Sequence, residues 1–190
     1  MPRPRRIADA DVLDAFERVL HDKGPHDFTL ADVARESGLA PATLMQRFGS
    51  KRALLEAFAR RSAERTSTAF GTEEPGLAAL RKTLVSLASV VDDRRRIANS
   101  LALLLEDVRD PKLGARAREQ ADVMEAAIER HIRAAVRARE LRTDDPRALA
   151  RAVQTAWNGA MILWAIRGRG TLRAAVTQAI DAVLEPWLRR

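Results

Sequence analysis

Residues 28–55 read FTLADVARESGLAPATLMQRFGSKRALL. Thr29, followed three residues on by Asp32, has the pattern of a helix N-cap in which side chains satisfy the free amides of the first turn, so a helix opens at Leu30. Val33 and Ala34 face inward, and Gly38 supplies a turn that a residue with a Cβ resists. Pro41 sits where a first helical turn tolerates a missing amide hydrogen, opening a short helix that ends at Phe48-Gly49; its N-cap, Ala40, has no side-chain oxygen to offer. Ser50 caps a fourth helix running through Leu54, Leu55 and Phe58 to about Thr68. Helix, four-residue turn, short helix is the geometry in which the first helix braces the backbone and the second enters the DNA major groove, which is wide enough for one helix.

Upstream, Val12, Phe16, Val19 and Leu20 recur at helical spacing from Ala8 to His21, and Lys23-Gly24-Pro25 stops that helix. Downstream, Gly71 to Gly76 breaks the pattern. Beyond it, apolar spacings of three and four predict helices near 76–92, 95–108, 112–140, 146–167 and 171–188. No segment reads as a strand. The chain is therefore expected to be all-α, with an N-terminal unit over 1–70, helix 4 as its connector, and a helical C-terminal unit over 75–190.

With 190 residues, 46% of them hydrophobic and 31% charged, the chain has the makings of a folded helical protein rather than a disordered one. The absence of cysteine removes disulfide and thiolate chemistry. No apolar run is long enough to span a bilayer, and Met1 to Arg6 leads into a charged helix, so the expected location is the cytoplasm, with no membrane partner. The net charge of +7 suggests a polyanionic partner, and its distribution says more than its size. Residues 1–6 hold three arginines, residues 7–46 hold three basic against eight acidic side chains, and residues 47–65 hold six against two. Two basic patches flank an acidic helical scaffold.

The run from Phe28 to Leu55, with the helix before it, resembles the signature of TetR-family transcription regulators over about 50 residues. The resemblance implies a three-helix DNA-binding domain joined through helix 4 to a ligand-binding, dimerising helical core. It places Val33, Leu44, Phe48 and Leu55 in the core and presents Ala42, Thr43, Met45 and Gln46 to DNA, with Lys51 at a phosphate. Thr29, at the start of helix 2, belongs to the same DNA-facing set. Where the family commonly has a phosphate-binding Tyr, this chain has Met45, which suits a thymine methyl or a sugar instead, shifting backbone affinity toward Arg47 or the N-terminal arm. The amide of Gln46 can pair with adenine, and Arg3, Arg5 and Arg6 form an arm suited to the minor groove. Each of these side chains is also compatible with a solvated surface position.

Catalysis is not expected. His21, His26 and His131 lack metal-ligand spacing, and no phosphate-cradling glycine loop or nucleophile motif occurs, so neither a metal nor a cofactor is anticipated. In the C-terminal unit, Trp157, Met161 and Trp164 form one apolar stripe. Asn99, Leu104, Met124, Trp157 and Met161 are the candidate borders of a pocket for a small, weakly polar effector, although the same residues would equally fill a core. Leu172, Val176, Ile180, Val183 and Trp187 form a second stripe, expected to be the homodimer interface. The sequence thus predicts a homodimeric repressor that leaves a palindromic double-stranded operator on binding an effector. A helical small-molecule binding protein with a non-functional helix-turn-helix is the alternative, and activation in place of repression stays open.

Overall fold

A computed structural model of the chain describes residues 7–89 and 93–189. Among these residues the elements are α1 (Asp9–Asp27), α2 (Leu30–Ser37), α3 (Pro41–Phe48), α4 (Lys51–Gly71), α5 (Leu77–Ala88), α6 (Arg94–Arg109), α7 (Pro111–Arg137), α8 (Pro146–Arg167), α9 (Leu172–Leu184) and a 3-10 turn at Glu185–Trp187. The only β feature among them is an isolated antiparallel bridge between Leu141 and Leu188. The arm residues Arg3, Arg5 and Arg6 lie outside the described residues. The helices form two compact units, each discontinuous in sequence: Met1–Ser62 with Ala98–Ala117, and Ala63–Ile97 with Arg118–Arg190.

The first unit is built around Phe16. Its ring lies 4.9 Å from that of Phe28 and 5.5 Å, edge to face, from that of Phe58, an arrangement that adds quadrupole attraction to burial. Val12, Val19, Leu20, Val33, Leu44 and Leu54 complete the core. Helix α1 is interrupted at Gly24, whose φ of +82° suits glycine. A Cβ there would stand 2.9 Å from Asn99 Oδ1, because the Asn99 amide of α6 closes on this turn and donates to the His21 carbonyl at 2.7 Å.

Helix α2 opens with a reciprocal cap: the Asp32 amide donates to Thr29 Oγ1 at 3.2 Å, and the Thr29 amide donates to Asp32 Oδ2 at 3.0 Å. Lys23 and Arg35 each reach Asp32 Oδ1 at 2.7 Å. The Lys23 ammonium, followed by the Thr29 hydrogen bonds, holds the Asp32 carboxyl well below the usual carboxylate range. Gly38 ends α2 at φ +72°, and the Leu39 amide donates back to the Ala34 carbonyl at 2.9 Å.

In the second unit α9 packs on α5 and α8. Asp145 caps α8 through the Ala148 amide, and Thr171 caps α9 through that of Ala174. Glu125 of α7 accepts from Arg147 and Arg151 of α8, each at 3.1 Å, and these guanidiniums lower its pKa, Arg151 foremost. His131 is buried on α7. The Gly76 amide donates to its Nδ1 at 3.2 Å, while Nε2 faces the Phe70 carbonyl at 3.4 Å. The ring thus clasps the link between α4 and α5.

Several helix ends differ from the sequence expectation: α1 resumes after Gly24 and runs to Asp27, α4 reaches Gly71, and α5 ends at Ala88. Helix α7 stops at Arg137 instead of residue 140, because the chain turns back through Arg139 at φ +60°. Helix α9 stops at Leu184 instead of 188, where Pro186 begins the 3-10 turn. From there the tail meets the α7–α8 loop: the Arg142 amide donates to Trp187 O at 2.8 Å and that of Arg189 to Glu140 O at 3.0 Å.

Thr29→Ala is expected to cost about 1 kcal/mol of stability, read as a fall in Tm of about 2–4 °C. Because the Asp32 pKa is lower folded than unfolded, its contribution is complete above pH ~4 and fades as pH falls through the folded value. The Tm difference between wild type and Asp32→Asn should therefore be largest near pH 7 and shrink below pH 4 in a calorimetric titration.

Candidate nucleic-acid interface

Helix α3 buries a single side chain, Leu44, in the first unit's core. Ala42, Met45, Gln46 and Arg47 are exposed, Met45 at 44%, and Thr43 is half-buried. Gly49, at φ +78°, closes the helix through its amide to the Met45 carbonyl at 2.8 Å, and Ser50 Oγ accepts from the Ala53 amide at 3.0 Å to start α4. The result is a two-turn helix with an open face of mixed apolar and amide character. That chemistry suits the methyl and donor–acceptor edges of base pairs.

The two cations nearest this face are engaged within the chain. Lys51 Nζ donates to the Phe28 carbonyl at 3.1 Å and the His26 carbonyl at 3.4 Å, and sits 4.0 Å from the centroid of the Phe28 ring. An ammonium has three donors, so one remains for an anion. Arg47 Nη1 donates to the Ile7 carbonyl at 2.9 Å and Nη2 pairs with Asp9. The Thr29 hydroxyl is taken up by its cap: it accepts from the Asp32 amide and donates to the Asp32 carboxylate at 2.9 Å. The partners Ile7, Asp9, His26 and Phe28 escaped the sequence reading because no local pattern marks them.

The same unit contains the α6–α7 corner. Asp110 caps α7 by accepting from the amides of Lys112 at 2.9 Å and Leu113 at 3.1 Å, and pairs with Arg52 at 2.8 Å. These contacts, the Leu113 amide first, lower its pKa. Asp107 lies one turn earlier without such partners, and burial, then the charges of Asp110 and Glu106, push its carboxyl up to about 6.

The proposed pocket residues fall in both units. Asn99 and Leu104 are in the first, Asn99 tied to His21 O and Leu104 exposed on α6. Met124, Trp157 and Met161 are in the second, Met124 in the core and the other two half-buried. The Trp157 indole N–H donates to the Leu84 carbonyl at 2.8 Å. Of the two roles open to Asn99, the satisfied amide is the one the structure displays. A cleft of about 280 Å³ elsewhere in this unit, between α5 and α9, is lined by none of the five.

The expected dimer stripe requires correction. Leu172, Val176 and Ile180 are at most 3% exposed within their own chain, covered by α5 and α8. Val183 is half-buried, and Trp187 lies beyond the end of α9. In this second unit α8 carries exposed apolar side chains instead: Ile162, Leu163 and Ile166 are 38%, 47% and 68% exposed. Their spacing of four and three was visible in the sequence but lay beside the stronger Trp157–Met161–Trp164 stripe.

Residues 12–68 match the family model for bacterial regulatory proteins of the tetR family. An uncharacterized HTH-type transcriptional regulator of Mycobacterium tuberculosis (strain CDC 1551) is 30% identical over 114 residues, which are 60% of this chain and 50% of that protein. A TetR transcription regulator from Haloarcula marismortui superposes with a TM-score of 0.79 at 18% identity, over 95% of this chain and 97% of its own. Residues 12–68 thus resemble the DNA-binding segment of that family, and the chain shares the fold of its solved members. Another TetR-fold neighbour is the triclosan complex of SmeT, the repressor of the Stenotrophomonas maltophilia multidrug efflux pump SmeDEF, with a TM-score of 0.73 at 18% identity over 95% of this chain and 91% of that one. The chain spans about half the length of the curated relatives it matches. Among the described residues no cluster of His, Cys, Asp or Glu could hold a metal ion, and no helix is long and apolar enough to cross a membrane.

Asp107 titrates higher folded than unfolded, so on its account stability falls as pH rises from ~4 through about 6. Asp107→Asn should raise Tm at pH 7.5 and leave it unchanged at pH 4. An equal gain at both values in thermal unfolding would reject the assignment.

Proposed function

We propose that this chain is a homodimeric transcriptional repressor that grips a palindromic operator in the cytoplasm and releases it on binding a small, weakly polar effector. The observation that carries this reading is α3 itself, seated by Leu44 and presenting Ala42, Thr43, Met45 and Gln46 on its open face. Residues 1–70 serve as the DNA-binding module and residues 75–190 as the sensor and dimerisation module. Lys51, with one donor uncommitted, reaches a phosphate beside the first turn of α4. The triclosan complex of the SmeT repressor supports the binding of an organic ligand as a capacity open to this fold.

Two copies meet through the outward faces of α8 and α9. Ile162, Leu163 and Ile166 supply apolar area that water otherwise covers, and a two-fold axis there matches the symmetry of a palindrome. Effector contacts fall to Met124, Trp157 and Met161, where thioether and indole surfaces adapt to varied apolar shapes. An effector that prefers the non-binding state lowers DNA affinity by the same factor by which DNA lowers its own.

Titration of DNA flanking the chain's own gene, followed by fluorescence anisotropy, tests the reading. Binding should weaken linearly in log–log plots against salt, with Lys51→Ala lowering the slope by roughly one unit for all sequences. Gln46→Ala should instead relax base preference at one position per half-site. Ile162→Glu combined with Ile166→Glu should give a folded monomer by sedimentation at micromolar concentration, with operator affinity lost. A double variant that sediments as a dimer would refute the α8 interface.

A further inference from the structure

We propose that Arg47 is a positioning residue that anchors the root of the basic N-terminal segment against the recognition helix, and not itself a phosphate ligand. This rests on the reading of α2 and α3 as the DNA-gripping element. Arg47 lies in the last turn of α3, yet its guanidinium holds residues about 40 positions earlier in the chain: Nη1 donates to the Ile7 carbonyl at 2.9 Å, and Nη2 pairs with the Asp9 carboxylate. Ile7 is half-buried against the first unit's core, and a Cβ built on Gly38 would lie 3.8 Å from its Cδ1. The entry to α1 is therefore held from two sides, by the α2–α3 turn and by the end of α3.

The chemistry of the contact matters. A guanidinium fork satisfies a carbonyl and a carboxylate in different directions at once, which the point charge of a lysine does poorly. The ion pair also neutralises Asp9, an acidic group beside the helix offered to a polyanion. Immediately before Ile7 the sequence carries Arg3, Arg5 and Arg6. Fixing Ile7 at the edge of α3 fixes the point at which the basic segment joins the described chain, next to the face proposed to read DNA.

The opposite role, Arg47 leaving Asp9 to bind a phosphate, predicts the opposite sign for one substitution. Asp9→Asn removes a negative charge and frees Arg47, so a phosphate ligand would bind DNA more tightly. An anchor would bind it less tightly.

The experiment measures operator affinity by anisotropy for wild type, Asp9→Asn, Arg47→Ala and Arg47→Lys, and for the chain lacking residues 1–6 with and without Arg47→Ala. Asp9→Asn and Arg47→Ala should each weaken binding by roughly tenfold, the scale of a lost charge-assisted contact. Arg47→Lys should restore only part, and Arg47→Ala should cost less than about twofold once residues 1–6 are absent. Tighter binding by Asp9→Asn, or an equal loss from Arg47→Ala in both backgrounds, overturns the proposal.

A DNA-free readout separates this inference from the functional reading. Trypsin cleavage of the Arg6–Ile7 bond, followed by mass spectrometry, should run several-fold faster in Arg47→Ala than in wild type. Equal cleavage rates overturn the anchor whatever the DNA result. A wild-type chain that binds no DNA overturns the functional reading and, with it, the DNA role of the anchor.

Discussion

An eight-residue helix has no stability of its own in water, because nucleation is costly and too few bonds follow it. Both α2 and α3 are of that length, so their order is supplied by what they touch. For α3 that is chiefly Leu44 in the core around Phe16, with the left-handed glycines 38 and 49 setting where it begins and stops. For α2 it is Val33 and Ala34 in the same core, together with the reciprocal cap of Thr29 and Asp32, reinforced by Lys23 from α1. The open face of α3 is thus fixed by a core it does not join.

Charge in the first unit follows the same economy. Two carboxylates of this unit are each matched by cations, Asp9 by Arg47 and Asp32 by Lys23 and Arg35. Lys51 reaches the face only after satisfying two carbonyls left by the end of α1 and the strand-like step to α2. Side chains that sequence patterning assigns to a ligand therefore do structural work first. What remains for a partner is the residual donor of an ammonium and the unengaged edge of α3.

The contrast between what the sequence disclosed and what it hid has a physical basis. Thr29 with Asp32, Gly38, Pro41 and Ser50 were legible because caps and turns are interactions between residues three or four apart, and the observed helix ends in this region follow them. Arg47 with Asp9, Lys51 with Phe28 and Asn99 with His21 were not, since their partners lie between 23 and 78 positions away. The α9 stripe failed differently. Periodicity identified Leu172, Val176 and Ile180 as a buried face, but an apolar face carries no mark of whether its cover is the same chain or another; here α5 and α8 cover it. Pro186 breaks the helical pattern, so α9 ends at Leu184 and Trp187 falls in the 3-10 turn beyond it.

The isolation of Leu44 as the one buried residue of α3 separates two kinds of selection. Changes at Ala42, Met45 or Gln46 leave the core volume untouched, and exposed substitutions of that sort usually move stability by less than about 0.5 kcal/mol. The chemistry of that face can accordingly drift through a lineage, or be rewritten in a library, without compensating mutations elsewhere. The open face of α3 is evolvable because the fold has almost no stake in it.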